Sequence, residues 1–376
     1  MLEVSLKLLK EITKHSYQAY IVGGFVRDYL LGIESNDIDI ATDATPKQIK
    51  EIFADSCLPN EDYGSVTVIF SGVRFEITTF RREIAYVNNR KPIEIQYISN
   101  LYDDLLRRDF TINTLCMDDK GDIIDYLNGQ EDIKNKIIRT VGNSHDKFFE
   151  DSLRILRAIR FATILDFSLS DEVKKAIVEA KHLLRNLSFY RKKMELDKIF
   201  TSPNYKNGIK LLLELGLDQE LELDNLEKVL DSETISLVGI WSIINFSDKY
   251  PFQKNERDLI EDVRKVLSLN NLDPMALYQY GLYVNSVAGE IKKHDIRAIT
   301  EAYNTLPIKS RNEMQISTKI ITDLLKKAPG KYLQDIYDDI EREILYRRLN
   351  NDEKDICSYI LNKYGKEWMI WKERKV

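Results

Sequence analysis

Residues 20–40 read Tyr20-Ile21-Val22-Gly23-Gly24-Phe25-Val26-Arg27-Asp28-Tyr29-Leu30-Leu31-Gly32-Ile33-Glu34-Ser35-Asn36-Asp37-Ile38-Asp39-Ile40. The stretch predicts strand, glycine turn, short helix, loop and strand. The apolar run from Ala19 to Val22 stops at Gly23-Gly24, helical spacing continues through Leu30 and Leu31, and Gly32 supplies the helix stop. On a strand through Asp37-Ile38-Asp39-Ile40, residues i and i+2 share a face. Asp37 and Asp39 then project together while Ile38 and Ile40 face a core. Two carboxylates on one rigid strand repel each other unless a cation sits between them, and hard oxygen donors of this kind suit Mg²⁺. Upstream, the backbone N–H groups of Gly23-Gly24 and the start of the helix form an anion cradle with Arg27 beside it. Either feature alone reads as an ordinary turn or a solvated acidic pair. Together they point to phosphoryl or nucleotidyl transfer.

The chain has 376 residues, more than one ordinary core holds, so two to four domains are expected. Its composition, 43% hydrophobic and 31% charged, is that of a globular protein with no apolar run long enough to span a bilayer. Residues 1–15 mix charges with apolar residues and read as an amphipathic helix rather than a signal peptide. Cys57, Cys116 and Cys357 form no zinc spacing, which fits a reducing cytoplasm. A net charge of −6 gives no overall attraction to nucleic acid, so an RNA partner needs a local basic face.

Thr45-Pro46 predicts an N-cap and first helical position for a helix reaching about Phe53. Residues 65–80 alternate about a Ser71-Gly72 turn and predict a hairpin, with Glu76 on its second strand as a third carboxylate. Residues 81–98 read as an irregular, mobile loop followed by a short strand. Adjacent Arg107 and Arg108, next to Asp109 and Asn113, suit phosphates and a ribose. From about residue 131 helical spacing dominates, so the fold expected is an α+β head with a mixed sheet followed by an all-helical remainder. The tail from Lys363 to Val376 reads as a helix packed by Trp368 and Trp371.

Residues 150–160, Glu150-Asp151-Ser152-Leu153-Arg154-Ile155-Leu156-Arg157-Ala158-Ile159-Arg160, predict a helix on which Asp151, Arg154, Arg157 and Arg160 form one stripe. Three arginines on one stripe suit a triphosphate or an RNA backbone; the alternative is an exposed helix with internal ion pairs. A carboxylate also accepts from an exocyclic amino group, and a guanidinium donates to ring nitrogen or carbonyl positions. Asp151 and Arg154 can therefore read the Watson–Crick edge of cytosine or adenine. Uracil and guanine offer an acceptor there and leave polar groups unpaired.

In these motifs the chain resembles the class II tRNA nucleotidyltransferases and bacterial poly(A) polymerases of the DNA polymerase beta superfamily. The resemblance rests on Gly23-Gly24-Phe25-Val26-Arg27-Asp28, Asp37-Ile38-Asp39, Thr79-Phe80-Arg81, Arg107 to Asn113, and Glu150-Asp151 with Arg154 and Arg157. It covers about the first 200 residues. It implies that Asp37 and Asp39 bind catalytic Mg²⁺ and that Gly24 and Arg27, supported by Gly23, hold the triphosphate. Arg108 and Asn113 contact phosphate and sugar, and Asp151 and Arg154 template the base. Glu150 orders that helix, and Arg157 and Arg160 complete the nucleotide site. The 82–95 segment is the flexible element that helps switch specificity from C to A. The family layout implies a head (1–135), neck (136–200), body (201–300) and tRNA-binding tail (301–376). Two departures stand out: Tyr190 replaces the glutamate of a Ser-x-Glu-Arg-Ile motif at Ser188 to Lys192, and Asn88-Asn89 stand where an aspartate is common.

The implied activity is template-independent addition of C, C and A to the 3′ end of tRNA from CTP and ATP in the cytoplasm. Neither DNA nor a membrane is an expected partner. The alternatives are a poly(A) polymerase, an enzyme adding only A or only CC, and a catalytically silent RNA-binding protein on the same fold. His145-Asp146, with only four histidines in the chain, is not expected to form a metal phosphohydrolase site.

Overall fold

The computed structural model describes residues 1–35, 37–58, 64–87, 91–234 and 236–365. The chain forms two compact units, residues 1–227 with 246–251 and residues 228–245 with 252–376.

The first unit is built on a seven-stranded sheet. Its strands are β1 (Ala19–Val22), β2 (Asp39–Thr42), β3 (Cys57–Leu58), β4 (Ser65–Phe70), β5 (Val73–Thr79), β8 (Cys116–Met117) and β9 (Ile123–Ile124), in the order β3-β4-β5-β2-β1-β8-β9. Strand β2 runs parallel to β5 and antiparallel to β1, so the sheet is mixed as expected. The 65–80 hairpin forms about Ser71 and Gly72, both at positive φ, as a two-residue turn that follows strand twist requires. Its alternation places Val66, Val68, Phe75 and Ile77 in the core.

Strands β6 (Arg81–Val87) and β7 (Lys91–Tyr97) form a separate antiparallel hairpin. The short strand expected at the end of 81–98 is present as β7; the irregular loop expected before it is corrected, since residues 81–87 pair with that strand. The Asn88-Asn89 departure lies outside the described residues, as does the Trp368 and Trp371 helix.

Helices α1 (Leu2–Lys14), α2 (Gly24–Leu30), α3 (Pro46–Ile52), α4 (Leu101–Leu106) and α5 (Gly129–Lys134) accompany the sheet. Thr45 caps α3 in a reciprocal box with Gln48. Beyond them come α6 (Ser144–Glu150), α7 (Leu153–Leu165), α8 (Asp171–Ala180) and α9 (Phe189–Phe200). A two-residue parallel pair, Ile137–Ile138 with Ser168–Leu169, is a small exception to the all-helical reading after 131.

The second unit is helical, with helices at Lys254–Leu267, Pro274–Lys292, Ile296–Asn304, Thr318–Leu325, Tyr332–Leu345 and Glu353–Ile360. Gly281, at φ 72°, breaks the second of these, a conformation that favours glycine. Ile321, Ile340, Ile344, Ile356 and Ile360 fill part of its core. Among the described residues no helix is long and apolar enough to cross a membrane.

Candidate active site

The site is a cleft of about 490 Å³ lined by Gly23, Gly24, Arg27, Asp37, Asp39, Arg107, Arg108, Asp109, Asn113, Asp151, Arg154, Arg157 and Phe161. Residues spread over nearly 140 positions of sequence therefore meet in one place. Strand β2 starts at Asp39, so Asp37 lies just before the strand and not on it. Both nevertheless face the cleft, while Ile38 and Ile40 are buried.

Gly23 adopts φ 78°, ψ −136°, open only to glycine. A methyl group there would lie 3.4 Å from Arg108 Nη1 and 3.9 Å from Asp39 Oδ2. The turn thus brings backbone, guanidinium and carboxylate together at one end of the cleft. Burial and then the neighbouring Asp37 push the Asp39 carboxyl up to about 6, with Glu76 adding to the repulsion and Arg108 opposing it. Glu76 sits opposite Asp39 in the β2–β5 register and does not line the cleft.

The fit to a metal follows from these facts. Among the described residues no three His, Cys, Asp or Glu side chains converge on one point. The protein supplies two repelling carboxylates with oxygen donors only, and leaves the remaining positions to phosphate oxygens and water. That donor set suits a hard divalent cation held with its substrate.

A buried relay runs across the floor. Arg27 donates from Nη1 to Asn113 Oδ1 at 2.6 Å, and Asn113 donates from Nδ2 to Asp109 Oδ1 at 3.0 Å. Arg157 donates from Nε to Asp109 Oδ2 at 2.7 Å. Burial alone would raise the Asp109 carboxyl; Arg157, Asn113 and the Phe110 N–H together hold it below the usual carboxylate range. The guanidinium carbons of Arg27, Arg157 and Arg160 stand 5.1, 5.4 and 4.5 Å from the centre of the Phe161 ring, within reach of cation–π attraction. Asn113 lines the cleft with its side chain shared between Arg27 and Asp109.

Residues 150–160 do not form one helix. Glu150 ends α6, Asp151 lies between the helices, and α7 starts at Leu153. The Asp151 carboxylate accepts from the Leu153 N–H at 3.0 Å, which starts the new helix as a side-chain turn. Burial raises the Asp151 carboxyl above its ordinary value. Arg154 donates to Glu150 at 2.6 Å and to the carbonyls of Lys147 and Arg107. Arg160 does not line the cleft: it is buried against Glu195 of α9 at 2.9 Å. Arg154, Arg157 and Arg160 keep the i+3 spacing on α7, but Asp151 precedes that helix and Arg160 pairs with α9 instead of lining the cleft.

The profile of the family described as "Poly A polymerase head domain" matches residues 19–139, which contain Asp37, Asp39 and Arg108. The "Probable RNA and SrmB-binding site of polymerase A" matches 166–225, and "tRNA nucleotidyltransferase domain 2" matches 243–360. The CCA-adding enzyme of Bacillus licheniformis is 35% identical over 95% of this chain and 98% of its own length. The chain belongs to the CCA-adding enzyme family. The relative from Ligilactobacillus salivarius is also 35% identical, over 93% of this chain and 94% of its own. The solved Bacillus stearothermophilus CCA-adding enzyme in complex with CTP superimposes with a TM-score of 0.84 at 26% identity, covering 97% and 98% of the two chains. The fold is also that of the Thermotoga maritima CCA-adding enzyme, with a TM-score of 0.70 at 22% identity over 95% and 94% of the two chains.

Within this family the chain is a nucleotidyltransferase, and such enzymes depend on metal in general. Two residues lining the cleft were given no role from sequence, Asp109 as the centre of the relay and Phe161, and Arg191 outside the lining was given none either. Arg191 lies 3.7 Å from Asp151 and belongs to the Ser188 to Lys192 segment that departs from the family motif. Phe161 follows Arg157 by four positions, so its place on the cleft side of α7 is readable from helical spacing. Tyr190, the departing residue itself, is exposed.

Proposed function

We propose that this chain adds C, C and A to the 3′ end of tRNA, using CTP, ATP and Mg²⁺, in the cytoplasm. The observation that carries this reading is that one cleft holds the Asp37 and Asp39 carboxylates together with Asp151 and Arg154. Family membership gives the same direction. The division into head, neck, body and tail at residues 135, 200 and 300 belongs to the same proposal.

The tRNA 3′-hydroxyl oxygen forms a bond to the α-phosphorus as the bond to the β-phosphate oxygen breaks. Pyrophosphate leaves, and the hydroxyl proton passes to solvent. Asp37 and Asp39 would hold Mg²⁺, which would supply polarisation of the attacking hydroxyl and offset charge on the departing phosphates. Gly24, Arg27 and Arg108 orient the triphosphate. Arg157 and the relay through Asp109 and Asn113 keep Arg27 in place. Asp151 accepts from the amino group of cytosine or adenine, and Arg154 donates to the same edge. Arg191 steadies the Asp151 carboxylate.

The test of base recognition is single-nucleotide extension of a tRNA lacking its last three residues, with each nucleoside triphosphate in turn. CTP enters; UTP and GTP do not. Asp151→Ala is expected to reduce the preference for CTP over UTP by about a hundredfold or more, since a site built on paired hydrogen bonds discriminates steeply. Unchanged discrimination in that variant removes Asp151 from the template.

The raised Asp39 carboxyl sets a pH dependence. Between the ordinary carboxylate range and about pH 6, the folded protein retains a proton that the unfolded chain releases. Stability of the metal-free protein therefore falls as pH rises through that window. Mg²⁺ competes with the proton and reverses the trend, so it should raise Tm more above pH 6 than below it. Thermal melts with and without Mg²⁺ on either side of pH 6 check this; an equal shift at both contradicts it.

A further inference from the structure

The reaction as described leaves one fully buried carboxylate beside the cleft without a role. Asp104 lies on α4 and has no exposed surface. Its Oδ1 accepts from the Arg81 backbone N–H at 3.1 Å and from Arg107 Nε at 2.9 Å. Its Oδ2 pairs with Arg108 Nη2 at 3.4 Å. Arg107 and Arg108 both line the cleft, and Arg81 opens the β6–β7 hairpin. A second tie between the same elements, Arg82 with Asp103 at 2.8 Å, lies at the surface.

We infer that Asp104 is a positioning residue for the triphosphate: it sets where Arg107 and Arg108 present their guanidinium groups. The inference rests on the proposed nucleotide chemistry and adds a residue to it. A surface carboxylate at i−3 and i−4 from two arginines contributes little. A carboxylate stripped of water is costly unless several donors compensate it, and here the compensating donors are two arginine side chains and one backbone N–H. The arrangement fixes those arginines as firmly as they fix it. Arg108 Nη1 is held close to Gly23, 3.4 Å from where a β-carbon on that residue would lie. A long arginine without such an anchor samples many rotamers and loses that freedom when the triphosphate arrives, which weakens binding. Sharing one carboxylate also places the start of β6 and both arginines on the same support, so they move together.

The test compares wild type with Asp104→Asn and Asp104→Glu in the full chain. Equilibrium binding uses non-hydrolysable analogues of CTP and ATP; steady-state extension of tRNA is measured alongside. Asp104→Asn is expected to weaken both analogues about tenfold and equally, since the triphosphate is common to them, while leaving tRNA binding unchanged. KM for CTP and ATP rises with kcat within about twofold. In the Arg108→Gln background the same substitution costs markedly less, because its effect passes through that arginine. Asp104→Glu, which keeps the charge and shifts it by one methylene, is expected to bind more tightly than Asp104→Asn. Wild-type affinity in a folded Asp104→Asn protein, full additivity with Arg108→Gln, or loss of folding in both variants overturns the inference; the last makes the carboxylate purely structural. If wild type itself binds neither analogue, the nucleotide reading fails, a result separate from any effect of Asp104.

Discussion

Asp39→Ala is expected to lower nucleotide transfer at least about a thousandfold without lowering Tm. On the proposed assignment a metal held by Asp37 and Asp39 would supply several kcal/mol of transition-state stabilisation, and about 4 kcal/mol already corresponds to a thousandfold. Removing one of two carboxylates from an all-oxygen site leaves a single protein ligand. The stability side runs the other way. Asp39 is desolvated and repelled by Asp37 and Glu76, so its carboxyl is pushed up to about 6. Deleting it relieves that repulsion in the metal-free protein, and Tm stays level or rises, as at other sites where function opposes stability. Extension assays with Mg²⁺ and thermal melts without it separate the two effects. Retained transfer, or collapse of the fold, contradicts the assignment.

The second large effect is expected at Asp109. It is buried, accepts from Arg157, Asn113 and the Phe110 N–H, and is held ionised by them. Asp109→Ala strands the Arg157 guanidinium in a half-buried position facing Phe161 and releases Asn113 from one partner. Breaking a buried pair in this way costs about 3–5 kcal/mol. Replacing both members with apolar residues, Asp109→Leu with Arg157→Met, is expected to recover most of that loss, because no buried charge is then left alone. Chemical denaturation of both variants checks this. The depressed carboxyl has a matching pH signature: its stabilisation is present above the ordinary carboxylate range and is lost as pH falls through the lower folded value. A single variant within about 1 kcal/mol of wild type contradicts the relay.

Much of the head was readable because its signals are local. Alternation about Ser71-Gly72 gave the hairpin, Thr45-Pro46 gave the start of α3, and the i, i+2 spacing of Asp37 and Asp39 held although the strand begins only at Asp39. The break at Asp151 was hidden because neither Gly nor Pro marks it, and the apolar spacing from Phe148 through Leu153 continues across it. What starts α7 is a hydrogen bond from the Leu153 N–H to the Asp151 side chain, which spacing does not encode. Arg160 was misread for a related reason. Its stripe is set by α7, but its direction is set by Glu195, 35 positions away. The same holds for the Arg157 pairing with Asp109, 48 positions away, and for Asn113 with Arg27, 86 away. Pairing of β6 with β7 joins residues as far apart as Arg81 and Tyr97, and the charged residues at the start of 81–98 carry no clear period of two.

The most direct measurement is extension of a tRNA lacking its last three residues, with CTP and ATP given separately and together in the presence of Mg²⁺, and products resolved to one nucleotide. Two additions are expected with CTP alone, three with both nucleotides in the order C, C, A, and then a stop. Repeated addition from ATP alone makes the protein a poly(A) polymerase, and entry of only one nucleotide type makes it one half of a split activity. RNA binding with no incorporation at all contradicts the central claim that Asp37 and Asp39 drive transfer.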